Sequence, residues 1–336
     1  MPDRSLVNPM ERVLAMRASP IFHDLPAVEL DTMAEYAREV VYRRGDVLQS
    51  ADRPPAAIHL IVEGDVEVVR DDAVAMRLSA PAGVGALDLF ARTDGGTRVT
   101  ALTEVLALSF PVDLVLEIIE DQFAVLHAIL KRSAAQLIET YAKIEGDRDI
   151  PDASERPPCR CVGDMMNLVE RLVFLRRMPI FAQSSLDAVT EIARAFREVR
   201  VPAGETLWRV GDEAKTLLAL VDGQALATIP GTSSKVRYHR YSMLGAMCSL
   251  AQVPRYHDMV AVTPLVLLEA DGSRLLDVIE DNHEMGLTIL SGLAREMIDV
   301  QRRLRDEGAR RLDWSWMPSR EAADEGAVED APAPML

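Results

Sequence analysis

The chain has 336 residues, 49% of them hydrophobic, which suits two domains that each bury their own core. Its formal net charge of −16 repels phosphate backbones and anionic headgroups, which excludes nucleic acid and the membrane surface as partners. The sequence has no apolar run long enough to cross a membrane and no signal peptide at its start, so we expect a cytoplasmic protein.

In chain order, the apolar pattern predicts a helix, several short strands and a closing amphipathic helix, and then the same series again. On both sides of Gly64, apolar and polar residues alternate, which is typical of a half-buried β-hairpin with a glycine turn. Gly223 occupies the same place in the second series. The strand positions are Ile58, Leu60, Val62, Val66 and Val68, matched by Leu218, Leu220, Ala225 and Ala227.

An internal repeat relates the two series. Pro20-Ile21-Phe22 recurs as Pro179-Ile180-Phe181, 159 positions later, and the same displacement holds on both sides of this motif. Past the middle the displacement becomes 160, as one inserted loop residue would produce. The sequence therefore predicts two tandem copies of one fold. Further matching pairs are Asn8 and Asn167, Gly45 and Gly204, Gly64 and Gly223, and Gly85 and Gly245.

The predicted domain limits follow from composition. Residues 146–162 mix charge, proline and glycine without an apolar period, which predicts a flexible linker between domains 8–145 and 163–312. Residues 313–336 are acidic and are predicted to form a disordered tail.

No metal site is expected. Cys159 and Cys161 lie in the predicted linker without the second cysteine or histidine pair that a zinc tetrahedron needs. His239 and His257 would serve as ligands in a cupin-like metalloenzyme, but no His-x-His pair supports that alternative.

The ordered glycines and the Pro-Ile-Phe motif resemble the cyclic-nucleotide-binding domains of catabolite-activator-type regulators, kinase regulatory subunits and gated channels. The resemblance implies a mainly β fold with flanking helices, namely two tandem jelly-roll β-barrels of eight strands each. In that family a phosphate-binding cassette opens on glycine. A glutamate then binds the ribose 2′-hydroxyl, and an arginine ten positions after the glycine binds the cyclic phosphate.

The second copy keeps part of this cassette. Arg255 lies ten positions after Gly245 and follows a proline, so the resemblance assigns it to the phosphate. Ala246 stands where the ribose glutamate is expected, and Asp258 adds an unfavourable negative charge nearby. Candidate ligand-binding residues here are Gly245, Ala246, Met247, Cys248, Arg255, Tyr256 and His257.

The first copy departs further from the family. Ten positions after Gly85 lies Gly95, so no arginine holds the anchoring position. Arg98, three residues later on the next strand, should point to the opposite face of the sheet. The vestigial cassette comprises Gly85, Ala86, Leu87 and Arg98.

The sequence thus predicts a non-enzymatic regulatory sensor without catalytic residues, with cyclic AMP, cyclic GMP or another small anion bound mainly in the second domain. The alternative is a ligand-independent scaffold, in which two degenerate rolls bind a protein partner or another copy of the chain. A catabolite-activator-type transcription regulator would need a helix-turn-helix after Arg320, where only the acidic tail follows.

Two residue roles have simpler alternatives. Arg255 would make a surface ion pair if its pocket had lost its ligand. Trp314 and Trp316, which follow the last helix, either stack on a ligand base or pack the chain end onto the second domain.

Overall fold

The computed structural model describes residues 8–19, 22, 25, 27–71, 73–144, 146–150, 165–182 and 184–306. These residues divide into two compact units, one within Met1–Gly85, Gly95–Phe110 and Leu304–Leu336, the other within Ala86–Asp94 and Pro111–Arg303. The domain limits 8–145 and 163–312 stay predictions. Pro20, Ile21, Cys159, Cys161, Trp314, Trp316 and the tail 313–336 lie outside the described residues.

The first roll consists of eight strands in two antiparallel sheets, ordered β1-β8-β3-β6 and β2-β7-β4-β5. Apolar side chains from the two inner faces form its core, with Ile61, Val66 and Val99 almost fully buried. The strands are β1 (Arg38–Tyr42), β2 (Val47–Gln49), β3 (Ala57–Glu63), β4 (Asp65–Arg70), β5 (Ala73–Ser79), β6 (Ala82–Val84), β7 (Thr97–Ala101) and β8 (Val105–Pro111).

The second roll repeats this plan with sheets ordered β10-β17-β12-β15 and β11-β16-β13-β14-β9. Its core contains Trp208, Leu220 and Met259 among other buried side chains. The strands are β9 (Arg148–Asp149), β10 (Arg197–Val201), β11 (Thr206–Trp208), β12 (Thr216–Asp222), β13 (Ala225–Thr228), β14 (Lys235–Tyr238), β15 (Met243–Leu244), β16 (Asp258–Ala261) and β17 (Leu265–Asp271).

The predicted fold class is confirmed: β1 to β8 and β10 to β17 form two jelly rolls of eight strands each, and helices flank them. The short strand β9 is a ninth strand at the edge of the second roll. Equivalent residues even make the same hydrogen bonds. The Gly45 amide donates to Ala101 O at 2.8 Å, and the Gly204 amide donates to Ala261 O at 2.8 Å. Both glycines have a positive φ, which L-residues rarely adopt.

The predicted hairpins at Gly64 and Gly223 are wrong. Each glycine does lie in a tight turn between two strands, but β3 and β4 belong to different sheets, as do β12 and β13. Alternation of apolar residues predicts a strand with one buried face, yet it does not identify the strand's partner. Both turns therefore carry the chain from one layer of the roll to the other.

A capping box begins the sixth helix. Asn167 caps the sixth helix through a capping box, with its Oδ1 accepting from the Glu170 amide at 3.1 Å. Within the described part of the chain, no helix is long and apolar enough to cross a membrane. The helices are α1 (Pro9–Arg17), α2 (Ala27–Tyr36), α3 (Ala86–Ala91), α4 (Val112–Asp121), α5 (Phe123–Tyr141), α6 (Leu168–Leu175), α7 (Leu186–Ala195), α8 (Ala246–Ala251), α9 (Gly272–Asp281) and α10 (His283–Asp306).

The predicted linker 146–162 begins with ordered structure instead of a flexible coil. Arg148 and Asp149 form β9, which pairs in parallel with β14. The Ile150 amide continues this pairing by donating to Arg237 O at 2.9 Å. A segment with no apolar period thus gains its structure from backbone hydrogen bonds at a sheet edge.

Candidate functional site

The cassette of the second roll is built around Gly245, which follows β15 and caps α8. Its φ of 81° is accessible to glycine at little cost. A Cβ at this position would overlap the guanidinium of Arg255, ten residues later. The predicted pair therefore meets, because the absence of a side chain at Gly245 leaves room for the arginine to lie on the backbone.

Arg255 is a buried side chain, with only 2% of its surface exposed. Its Nη1 donates to Gly245 O at 3.0 Å, and its Nη2 donates to Thr216 O at the start of β12. The guanidinium also stacks on Trp208, 4.2 Å from the ring centroid. The alternative of a surface ion pair is wrong, since the side chain points into the roll.

The positive charge of Arg255 lacks a bonded carboxylate partner among the described residues. Its contacts are carbonyl oxygens and the thiol of Cys248, while Nε has no hydrogen-bond partner. Burial lowers the pKa of Arg255, and Cys248 and then the more exposed Asp212 oppose this shift. Burial likewise raises the pKa of the Cys248 thiol, so this cysteine is protonated at neutral pH. The site holds a desolvated cation.

His257 lies beside this cation and is 3% exposed. Its ring meets Trp208 edge-on at a centroid distance of 5.7 Å and Tyr256 at 4.4 Å. Burial, followed by the charge of Arg255, lowers the pKa of His257 to about 4. The imidazole is therefore neutral at physiological pH, and neither ring nitrogen has a hydrogen-bond partner among the described residues.

The remaining candidate residues of this cassette lie on or next to the short helix α8 and beside Arg255. Ala246 is buried as the first residue of α8, Met247 is half-buried, and Cys248 is fully buried on the same short helix. Tyr256 is half-buried next to Arg255. The two histidines have different partners: His239 Nε2 forms a hydrogen bond with Asp149 Oδ1 at 2.5 Å, whereas His257 contacts Trp208 and Tyr256. No cluster of three metal-ligating side chains occurs among the described residues.

The first roll presents a different set of groups. Gly85 has a φ of 93° and faces the Ala57 carbonyl, while Ala86 and Leu87 are half-buried at the start of α3. Arg98 is exposed on β7, between two buried neighbours. Gly95, in the place of the phosphate arginine, packs its backbone against the Ala51 carbonyl.

Sequence reasoning missed the polar interior of the first roll. Arg70, at the end of β4, is 6% exposed and its Nε donates to Thr97 Oγ1 at 2.9 Å. Gln49 Nε2 donates to Thr97 O at 3.4 Å. The repeat could have indicated this difference, because the polar Gln49 and Thr97 are the counterparts of the aromatic Trp208 and His257. The two interiors therefore differ at matching positions.

Replacing Gly245 with alanine is expected to displace Arg255 and to lower the free energy of unfolding by about 2 kcal/mol. The new Cβ combines a strained φ with overlap of the guanidinium. Gly292→Ala, which meets open space on α10, is the control and should leave stability unchanged or slightly raised. Urea unfolding compares the two. Equal midpoints would show that the close approach of Arg255 to Gly245 has no energetic weight.

Comparison with known proteins gives one family match. Residues 198–282 match the family model of the cyclic nucleotide-binding domain. No curated protein matches the sequence. Similar solved structures include the regulatory subunit of a cAMP-independent protein kinase A from Trypanosoma cruzi bound to guanosine (15% identity, 98% of each chain, TM-score 0.34) and the regulatory domain of Toxoplasma gondii PKA with cAMP (15% identity, 92% of this chain and 99% of that chain, TM-score 0.33).

Proposed function

We propose, from the match of residues 198–282 to the cyclic nucleotide-binding domain, that the chain is a non-enzymatic regulatory sensor. Its second roll binds a cyclic nucleotide, with Arg255 as the residue that contacts the cyclic phosphate. The bound ligand changes the position of a helix, and a protein partner binds one of the two helix positions more tightly. No catalytic step is part of this function.

The observation that carries the proposal is the desolvated charge of Arg255. A buried charge is costly unless an opposite charge and hydrogen bonds compensate it. Among the described residues, Arg255 has carbonyl partners for its terminal nitrogens and none for Nε. A phosphate supplies both the negative charge and strong acceptors, so it would bind this guanidinium better than the carbonyls do.

The local packing suggests how binding would be transmitted. A phosphate that accepted the hydrogen bonds of Arg255 would release the carbonyl oxygen of Gly245. Gly245 is the N-cap residue of α8. Because α8 packs against α5, a shift of the cassette would reach the helix that closes the first repeat. The ligand would thereby favour one of two helix positions. The side chain of Ala246 offers no acceptor to the ribose 2′-hydroxyl, so the phosphate and the base provide most of the binding energy.

The test is calorimetric titration of the full chain with cyclic AMP and cyclic GMP. Arg255→Ala is expected to weaken binding at least about 30-fold, because it removes charge-assisted hydrogen bonds to the phosphate. Arg274→Ala, which removes an exposed arginine of α9, should leave the affinity unchanged. Absence of heat with the unmodified protein, or an affinity that Arg255→Ala does not alter, would rule the proposal out.

The second candidate is a ligand-independent scaffold, favoured by the two carbonyls and the indole ring that already hold Arg255. In that case the guanidinium links β12 to the cassette through its hydrogen bonds to Thr216 O and Gly245 O, and the roll serves only as a binding surface for proteins. A thermal-shift measurement distinguishes the candidates, since a ligand that binds the folded state raises the melting temperature with its concentration. No shift with any cyclic nucleotide, together with self-association in light scattering, would favour the scaffold.

A further inference from the structure

A cluster of aromatic and charged side chains adjoins the cassette of the second roll. It consists of Tyr141 at the end of α5, Arg148 on β9, Tyr238 on β14, Tyr256 beside Arg255, and Glu296 on α10. Three of these five residues lie outside the segment 198–282 that matches the family. The segments that precede and follow the family match therefore supply much of the cluster.

Backbone pairing holds Arg148 in place. Arg148 is aligned with Val236 in the parallel pairing of β9 with β14. The neighbouring Asp149 accepts a hydrogen bond from His239 Nε2 at 2.5 Å, and Ser234 Oγ donates to Ile144 O at 2.6 Å. Residues 148–150 thus run along the edge strand β14 of the roll in a defined register.

The Arg148 side chain turns toward the tyrosines. Its guanidinium carbon lies 4.2 Å from the centroid of the Tyr141 ring, which is cation–π geometry. Its Nε is buried and has no hydrogen-bond partner among the described residues. One buried N–H of this donor-only group therefore lacks an acceptor.

Glu296 supplies the opposite chemistry. Its Oε1 accepts a hydrogen bond from the Tyr141 hydroxyl, which leaves the second carboxylate oxygen able to accept another. Burial and then Glu296 raise the pKa of Tyr141, so the hydroxyl stays a donor. One tyrosine consequently lies between a donor-only group and an acceptor-only group.

The cluster reaches the phosphate end of the cassette. Tyr256 follows Arg255 directly in the chain, and its ring meets that of His257. The pKa of Tyr238 is raised to about 12, mainly by burial; the charge of Arg148 opposes this shift, and Cys248 and Glu296 add to it. Tyr238 is therefore close enough to Arg148, to Glu296 and to Cys248 on the cassette helix α8 to interact with them electrostatically.

Guanine matches this arrangement better than adenine does. Guanine offers O6 and N7 as acceptors to an arginine, and its N1–H and N2 amino group as donors to a carboxylate. Adenine instead has a donor amino group in place of O6 and an acceptor at N1. Tyrosine faces stack on either purine, so the two charged groups decide the preference.

We propose that Arg148 and Glu296 recognise the base of the ligand in the second roll and select guanine over adenine. This inference rests on the proposed function, since it concerns the base of the same ligand whose phosphate Arg255 binds. The recognition groups come from the segment between the repeats and from the final helix, so the family segment alone does not form the whole site.

The first part of the test needs no variant. Calorimetric titration of the full chain compares cyclic GMP, cyclic IMP and cyclic AMP. Cyclic GMP is expected to bind at least about tenfold more tightly than cyclic AMP. Cyclic IMP, which keeps O6 and N1–H but lacks the N2 amino group, should lie between them. Equal affinities, or a preference for cyclic AMP, would overturn the inference and leave the proposed function standing.

The second part uses two variants with matched controls. Glu296→Gln and Arg148→Gln should each reduce the preference for cyclic GMP to within about threefold, because each removes one half of the guanine match. Glu284→Gln, exposed on the same helix, and Arg274→Gln should leave the preference unchanged. A preference that survives both site variants would overturn the assignment of these residues. No binding of any of the three nucleotides would overturn the proposed function together with this inference.

Discussion

Replacing Gly223 with alanine is expected to destabilise the second roll by at least about 3 kcal/mol. Gly223 has a φ of 96°, and an added Cβ would overlap the backbone carbonyl oxygen of Pro264. Neither group can move without distorting the turn that joins β12 in one sheet to β13 in the other. The change in the free energy of unfolding can be measured by urea titration of the full chain.

Gly204→Ala is the matched control for this substitution. Gly204 also has a positive φ, of 83°, but nothing lies within 4 Å of the position where its Cβ would be. Only the backbone strain remains, and it should cost about 1 kcal/mol. A Gly223 variant no less stable than the Gly204 variant would show that the turn relaxes around an added methyl group.

The second large effect is a loss of stability in acid caused by His257. Its pKa is about 4 in the folded protein against 6.5 for an unperturbed histidine, because the ring is buried beside Arg255. Between these two values the unfolded chain binds a proton that the folded chain does not, so acid favours unfolding. The stabilisation is complete above pH 6.5 and falls by about 3 kcal/mol as the pH drops to 4.

Unfolding midpoints at a series of pH values test this expectation. His257→Phe removes the titrating group while keeping an aromatic ring next to Trp208, and should flatten the pH dependence between pH 6.5 and 4. The same substitution at the exposed His283 leaves the buried histidine in place and should not flatten it. Burial also lowers the pKa of His59 in the first roll, so some acid sensitivity will persist. Identical profiles for the two variants would contradict the assignment to His257.

Much of the fold could be predicted because the chain repeats itself. Paired landmarks such as Gly45 and Gly204 make the same hydrogen bond at the same distance, which is the structural form of the displacement seen in the sequence. Strand and helix positions also followed, since apolar periodicity reflects which face of each element is buried. The partner of each strand did not follow, and the predicted hairpin at Gly64 was therefore wrong.

The candidate site was predictable only in part. Spacing identified Gly245 and Arg255 as a pair, and the overlap between a Gly245 Cβ and the guanidinium shows that they meet. Spacing did not identify Trp208 or Thr216, which hold the guanidinium from distant strands. A residue that contributes through stacking or a backbone carbonyl leaves no motif in the sequence.

The sequence by itself therefore determined the repeat, the two rolls and the arginine that marks the second cassette, because these depend on local pattern and fixed spacing. Only the tertiary structure decided that Arg255 points inward, that β3 and β4 pair in different sheets, and that Arg148 joins the tyrosine cluster. Each of these depends on contacts between residues far apart in the chain. Such contacts are chosen by packing and by the hydrogen bonds left open at a sheet edge, not by the identity of neighbouring residues.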